Sequence, residues 1–179
     1  ILGSGWVIYL DGNIEADSAE KLETYIKTNK VPVYSSIVLN SMGGNAHGGM
    51  GIGRIIRKYG FETSVGQQSS SKDLNSRYSM SGVCYSACVF AYMGGKFRYL
   101  SKDSKLGVHR FYFKEAVDNA ADIAQIASAA IVNYLSEMDI DPNFISIMTI
   151  ASGKEIYEPK RDILERNNVV NNGFTKTSW

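Results

Sequence analysis

This sequence predicts an α/β fold with a mostly parallel sheet and flanking helices, and three observations carry that prediction. Short β-rich stretches alternate with segments of helical periodicity, the pattern of strands joined by crossover helices. Glycine-rich turns punctuate the ends of the apolar stretches. The 179 residues are 44% hydrophobic and 21% charged, the balance of a globular chain with a sizeable core. No internal repeat and no composition break divides residues 1–179, which therefore read as a single domain.

Taken in order, "GWVIYLDGNI" alternates and is rich in β-formers, so residues 5–10 read as a strand. "DSAEKLETYIKTN" carries a capping-box start at Ser18, with Leu22 and Tyr25 on one face, and predicts a helix over 17–29. "YSSIVLN" predicts a second strand over 34–40. A glycine turn, "SMGGNAHGG", follows, then a helix ending at Gly60 and a third strand in "FETSV". Residues 67–82 are polar, serine-rich and aperiodic. A loop of that length is commonly functional or mobile, and here it reads either as a lid or lip of a cleft or as a disordered surface insertion. A helix is expected over about 85–94, with strands in "KFRYL" and "KLGVHRFYF". From 115 to 138, Val117, Ala120, Ala124, Ala127, Ile131, Tyr134 and Leu135 recur at helical spacing. Asp141-Pro142 starts another short helix, and "PKRDILERNN" a last one before the apolar "VV".

The charge balance narrows the function. Formal net charge is +1 and no basic cluster stands out, which argues against nucleic acid as the main partner. No apolar run reaches the length of a membrane span. The chain opens on "ILGSGWVIYL" and reads as a mature or trimmed form. Its two cysteines, Cys84 and Cys88, lack the second pair a zinc site needs, and no metal or other cofactor is expected. Two buried thiols, a local disulfide and a redox pair all fit those residues.

Three short stretches carry chemistry. Gly43 and Gly44 lie between a buried strand and a helix, where parallel sheets bind ligands at strand carboxyl ends. Glycines there let the backbone approach closely and turn its amides toward an anion, or simply make a tight turn. Ser86, between the cysteines, stands at a helix start. It is either an N-cap or a nucleophile whose following amide, that of Ala87, is free to donate to an oxyanion. His109 lies 23 residues further on, in "LGVHRF", and is either a satisfied structural histidine or a general base for Ser86. The other histidine, His47, is a second candidate base beside the glycine turn.

Together "LNSMGGN", "YSAC" and "LGVH", in this order and spacing, resemble the Clp protease proteolytic subunit family. The likeness is closest to the bacterial periplasmic-type, ClpP-like branch of the ClpP/crotonase superfamily, and it covers nearly the whole chain. It implies a spiral of ββα units and a serine peptidase acting on a peptide or protein substrate. It also implies Ser86 as nucleophile, His109 as base, and Gly44 and Ala87 as oxyanion donors, with Gly43 supporting the turn. No nucleotide or metal enters that chemistry. The resemblance implies a homo-oligomer built in part on the long alanine-rich helix. It also implies a periplasmic or secreted location, with a cytoplasmic one as the alternative.

The sequence departs from the family at the third triad member. The place of the acid falls near Glu158, 49 residues past His109, or near Ile156 and Glu155 when the tail "DILERNNVV" is aligned instead. Neither position holds the expected Asp. The cysteines flanking Ser86 are a feature of the ClpP-like branch, and a bridge between them would stiffen the nucleophile turn. Two other classes share the fold: a catalytically weak or inactive binding scaffold, and a crotonase-type enzyme acting on an acyl thioester. The Ser–His pair argues against the second.

Overall fold

The structure, a computed structural model, describes residues 5–69, 80–111 and 118–174. In chain order the elements are β1 (Val7–Asp11), α1 (Ser18–Asn29), β2 (Ser36–Asn40), α2 (Ala46–Tyr59), β3 (Glu62–Val65), β4 (Val83–Tyr85), α3 (Ala87–Met93), β5 (Arg98–Tyr99), β6 (Lys105–Gly107), α4 (Ala120–Glu137), α5 (Phe144–Met148) and α6 (Arg161–Arg166). A four-stranded sheet runs β1-β2-β3-β5 and a two-stranded one pairs β4 with β6. All these pairings are parallel, as the alternation of strand and helix predicts. The sheets are stitched where β2 runs on into Ser41, which lies opposite Cys84. The Ser41 amide donates to the Val83 carbonyl, and Tyr85 donates back to that of Ser41.

The core lies between the larger sheet and α2, α3 and the second half of α4. Ile37, Leu39, Ile56 and Phe61 are buried there with all seven residues of α3. Each large side chain so placed stabilises the fold by about 1.5–3 kcal/mol. Helix α2 can lie close against α3 because Gly49 and Gly53 face it. A Cβ on Gly49 would stand 2.2 Å from the Ala87 carbonyl oxygen. Helix α4 is anchored by its second half. Tyr134 is buried and donates to the Phe90 carbonyl at 2.6 Å, with Ile131 and Leu135 beside it. Its first half is mostly exposed, and Ile126 is 69% exposed.

Several expectations are corrected. Helix α1 has no capping box: Asp17 makes no side-chain cap bond, and the Ser18 hydroxyl accepts from Glu15 instead. Its buried face is Leu22 and Ile26, while Tyr25 points outward. The helix foreseen from residue 85 is preceded by a strand, β4, that the sequence does not announce. Three residues are too few to show alternation, and they form a strand because Ser41 and β6 offer hydrogen-bonding edges. Conversely, "KLGVHRFYF" is a strand only through Gly107. Val108 then pairs antiparallel with Tyr157. Most of the serine-rich loop, residues 70–79, lies outside the described residues, as do 112–117 at the start of the expected long helix. Gln67 and Met80 pair antiparallel across the base of that loop.

At the far edge of the larger sheet, Arg98 is 1% exposed. Its guanidinium donates to the carbonyls of Val169, Gly95 and Asn168 at 3.0, 2.6 and 2.6 Å. Burial pulls its pKa down to about 10, and the three carbonyls hold the cation in place. Through this clamp the tail packs Val169 and Val170 into the core. No helix among the described residues is long and apolar enough to cross a membrane.

Candidate active site

The site is assembled at the carboxyl ends of β2, β4 and β6. Ser86 follows β4 directly and precedes α3, and its backbone sits at φ 55° and ψ −122°. For a residue with a side chain this is a sparsely populated conformation that costs of order 1–3 kcal/mol. Neighbours hold it there: the Ser86 amide donates to the Gly107 carbonyl at 2.9 Å, and the Ser86 carbonyl accepts from Val89 at 3.0 Å. The turn lifts the hydroxyl out of the capping position, and Ser86 makes no cap bond to α3. Oγ instead lies 2.7 Å from His109 Nε2. The reading of Ser86 as an N-cap is therefore replaced by a serine–histidine pair.

His109 comes two residues after β6. Its Nδ1 lies 2.7 Å from the Arg110 carbonyl oxygen. A carbonyl only accepts, so this contact places the neutral ring's proton on Nδ1 and leaves the Nε2 lone pair facing the Ser86 hydroxyl. His47 stands exposed in the first turn of α2, and the partner of Ser86 is His109.

Across the cleft, Gly43 and Gly44 have φ of 107° and 138°, values open to glycine. A Cβ on Gly43 would lie 2.7 Å from Ser86 Cβ, so the turn seats directly on the serine. The Gly43 amide is used within the turn, donating to Ser41 Oγ at 3.0 Å, and its carbonyl accepts from Ile14. Among the described residues the Gly44 amide has no acceptor. As the first residue of α3, Ala87 has no acceptor for its amide within the helix. These donors flank the serine.

Neither candidate glutamate bonds to His109 among the described residues. Glu158 accepts from the Tyr85 hydroxyl and pairs with Lys105 at 3.3 Å. Burial first, and this carboxylate second, push the Tyr85 phenol up to about 12, so it remains a neutral donor. Glu155 accepts from Ser152. The antiparallel pairing of Val108 with Tyr157 supplies the reason. One step further its register sets Ile156 alongside His109, and both line the cleft. Glu158 falls on the side of Gly107 and Tyr85.

The cysteines form a disulfide, both fully buried, with Ser86 midway between them. Of the three readings open in the sequence, this excludes free thiols. The cleft in front of Ser86 has a volume of about 550 Å³. Phe90, Ile131, Ile145 and Met148 give it an apolar wall, and Arg110 and Lys154 stand among its lining. A second cavity, of about 610 Å³, lies beside β1 and α1 and includes no histidine. No group of His, Cys, Asp and Glu suited to a metal occurs among the described residues.

No family model matches the sequence, and no curated protein does. Solved structures do match in fold. A variant of 1510-N, a membrane-bound stomatin-specific protease, superposes with a TM-score of 0.64 at 13% identity, over 92% of this chain and 76% of that one. A variant of ClpP1 from Listeria monocytogenes gives a TM-score of 0.66 at 15% identity, over 92% and 88%. The chain thus has the ClpP-type fold expected from its motifs.

Proposed function

We propose that this protein is a serine peptidase in which Ser86 is the nucleophile and His109 the general base. The observation that carries the reading is the 2.7 Å contact between Ser86 Oγ and His109 Nε2 at a strand–turn–helix elbow. Ser86 Oγ attacks the peptide carbonyl as its proton passes to Nε2. The amides of Gly44 and Ala87 stabilise the oxyanion, and the amide dipoles at the start of α3 add to that field. His109 then returns the proton to the leaving amine, and water repeats the cycle on the acyl-enzyme. The Arg110 carbonyl, in contact with Nδ1, keeps the tautomer that makes Nε2 the acceptor. The apolar wall of the cleft accepts a substrate side chain. The folds of two proteases support the reading at the level of architecture.

The buried disulfide supports an oxidising location, periplasmic or secreted. The exposed first half of α4 supports self-association, checked by sedimentation of the parent against Ile126→Glu. The activity itself is tested by labelling with a fluorophosphonate probe. Labelling is expected in the parent, absent in Ser86→Ala and strongly reduced in His109→Ala. A folded parent that stays unlabelled and cleaves no member of a peptide library would assign the chain to binding without catalysis.

A further inference from the structure

The disulfide raises a question that the proposed chemistry leaves open, namely what a bridge so short is for. Cys84 is in β4 and Cys88 in α3, four positions apart. Loop closure constrains the unfolded chain more the longer the loop, so this bridge stabilises the fold less than a long-range one would, by about 2 kcal/mol. It also closes a segment of the site held at positive φ by a residue other than glycine, Ser86. Both sulfurs are fully buried, which removes them from substrate and rules out a catalytic thiol.

We propose that the Cys84–Cys88 bridge is a positioning device that keeps Ser86 Oγ on His109 Nε2, so that full activity requires the oxidised protein. The inference rests on the reading of Ser86 as nucleophile. The direction of the Ser86 side chain is set by the angle between β4 and α3, and the bridge joins those two elements on either side of the turn. Besides the bridge, the elbow is held by the β4–β6 pairing and by backbone hydrogen bonds that include Tyr85 to Ser41, Ser86 to Gly107 and Val89 to Ser86. The bridge is the covalent tie among them, and its loss lets β4 and α3 move against each other. The same half-cystine reaches the other wall of the site. Cys84 lies opposite Ser41, and Ser41 Oγ accepts from the Gly43 amide. Loosening β4 therefore shifts the serine and the glycine turn together. Opening the bridge takes two electrons and two protons from a dithiol reductant. Cys84 and Cys88 become thiols, and the reductant becomes its own disulfide.

The experiment compares oxidised protein, protein reduced with dithiothreitol and the double variant Cys84→Ala/Cys88→Ala. Thiols are counted by mass after denaturing alkylation, and fold is followed by circular dichroism. On reduction, the rate of fluorophosphonate labelling and kcat on a cleaved peptide are expected to fall on the order of 10²-fold. KM and the circular dichroism spectrum should stay the same, and reoxidation should restore the rate. An unchanged rate in protein carrying two free thiols overturns the proposal. So does loss of the fold in both the reduced protein and the variant, which would make the bridge a general staple. An unlabelled oxidised parent would defeat the reading of Ser86 and leave the positioning to be read by NMR. In that case Ser86→Ala should move the His109 ring signals in oxidised protein and leave them unmoved in reduced protein. Equal movement in both states again overturns the proposal.

Discussion

Helices α2 and α3 both begin at the carboxyl ends of strands that meet through Ser41 and Cys84, and they begin in opposite ways. At α2, Asn45 is extended, with φ −75° and ψ 119°, and its side chain accepts from the Gly48 amide at 2.8 Å. That is a satisfied N-cap, and it serves stability. At α3, Ser86 occupies the equivalent place with positive φ, makes no cap bond and turns its hydroxyl to a histidine. One residue completes its helix, while the other leaves its helix uncapped and pairs with His109. The difference teaches how to separate structure from chemistry among residues of one type. What matters is whether the side chain is used by its own helix.

The sharpest way to break this comparison is to substitute the two starts in turn. Ser86→Gly should abolish fluorophosphonate labelling, a loss of ~10⁴-fold or more. It should not lower stability, and relief of the positive φ should raise it by about 1 kcal/mol in urea titration. Gly43→Ala attacks the same elbow from across the cleft, because the new Cβ would meet Ser86 Cβ and the Tyr85 carbonyl at 2.7 Å. Labelling should fall by about 10²-fold with a stability loss of about 1–3 kcal/mol. Asn45→Ala should do the reverse. It should lower stability by about 1 kcal/mol, shift Tm down by about 2–4 °C and leave the labelling rate unchanged. A labelling loss in Asn45→Ala that matched Gly43→Ala would erase the distinction.

The smallest effect sharpens the background against which these are read. Hydrogen bonding to Lys58 and then Lys27 holds the Glu23 carboxyl below its ordinary range. A carboxylate with a depressed folded pKa contributes stability above its unfolded pKa and loses it as pH falls through the folded one. Glu23→Gln should therefore lower the urea midpoint slightly at neutral pH. The gap between parent and variant should vanish in strong acid and shrink with salt.

The first strands and helices were legible because their periodicity is set by burial on one face, which sequence records directly. The same was true of Gly60, which ends α2 in the left-handed conformation. Ser86 and His109 stood out only as a set of motifs; each alone fits a cap or a structural histidine. What sequence does not carry is the partner chosen across space. Val83–Tyr85 become a strand because Ser41 and β6 lie alongside. Arg98, in a stretch that reads only as a strand, is buried because the carbonyls of Val169, Asn168 and Gly95 converge on it. Glu158 was placed by counting residues, and a single antiparallel pair, Val108 with Tyr157, turns it to Tyr85 instead. The helical glycines at 49 and 53 are a signal that could have been read as a close crossing by α3.

The Arg98 clamp also closes one border of the sheet. Strand β5 is one border of the four-stranded sheet, and the tail occupies its outer side. The amides of Asn171 and Asn172 donate to the Arg98 carbonyl, and the Arg98 amide donates to Asn171 Oδ1. Strand β1 is the opposite border, and among the described residues its outer side is unpaired. A sheet with two bare borders can recruit further chains without end, whereas a sheet with one can join a single neighbour and then stops. Asn171 and Asn172 thus cover this border, and Asn171→Ala/Asn172→Ala is expected to leave the outer side of β5 open to pairing with another sheet edge.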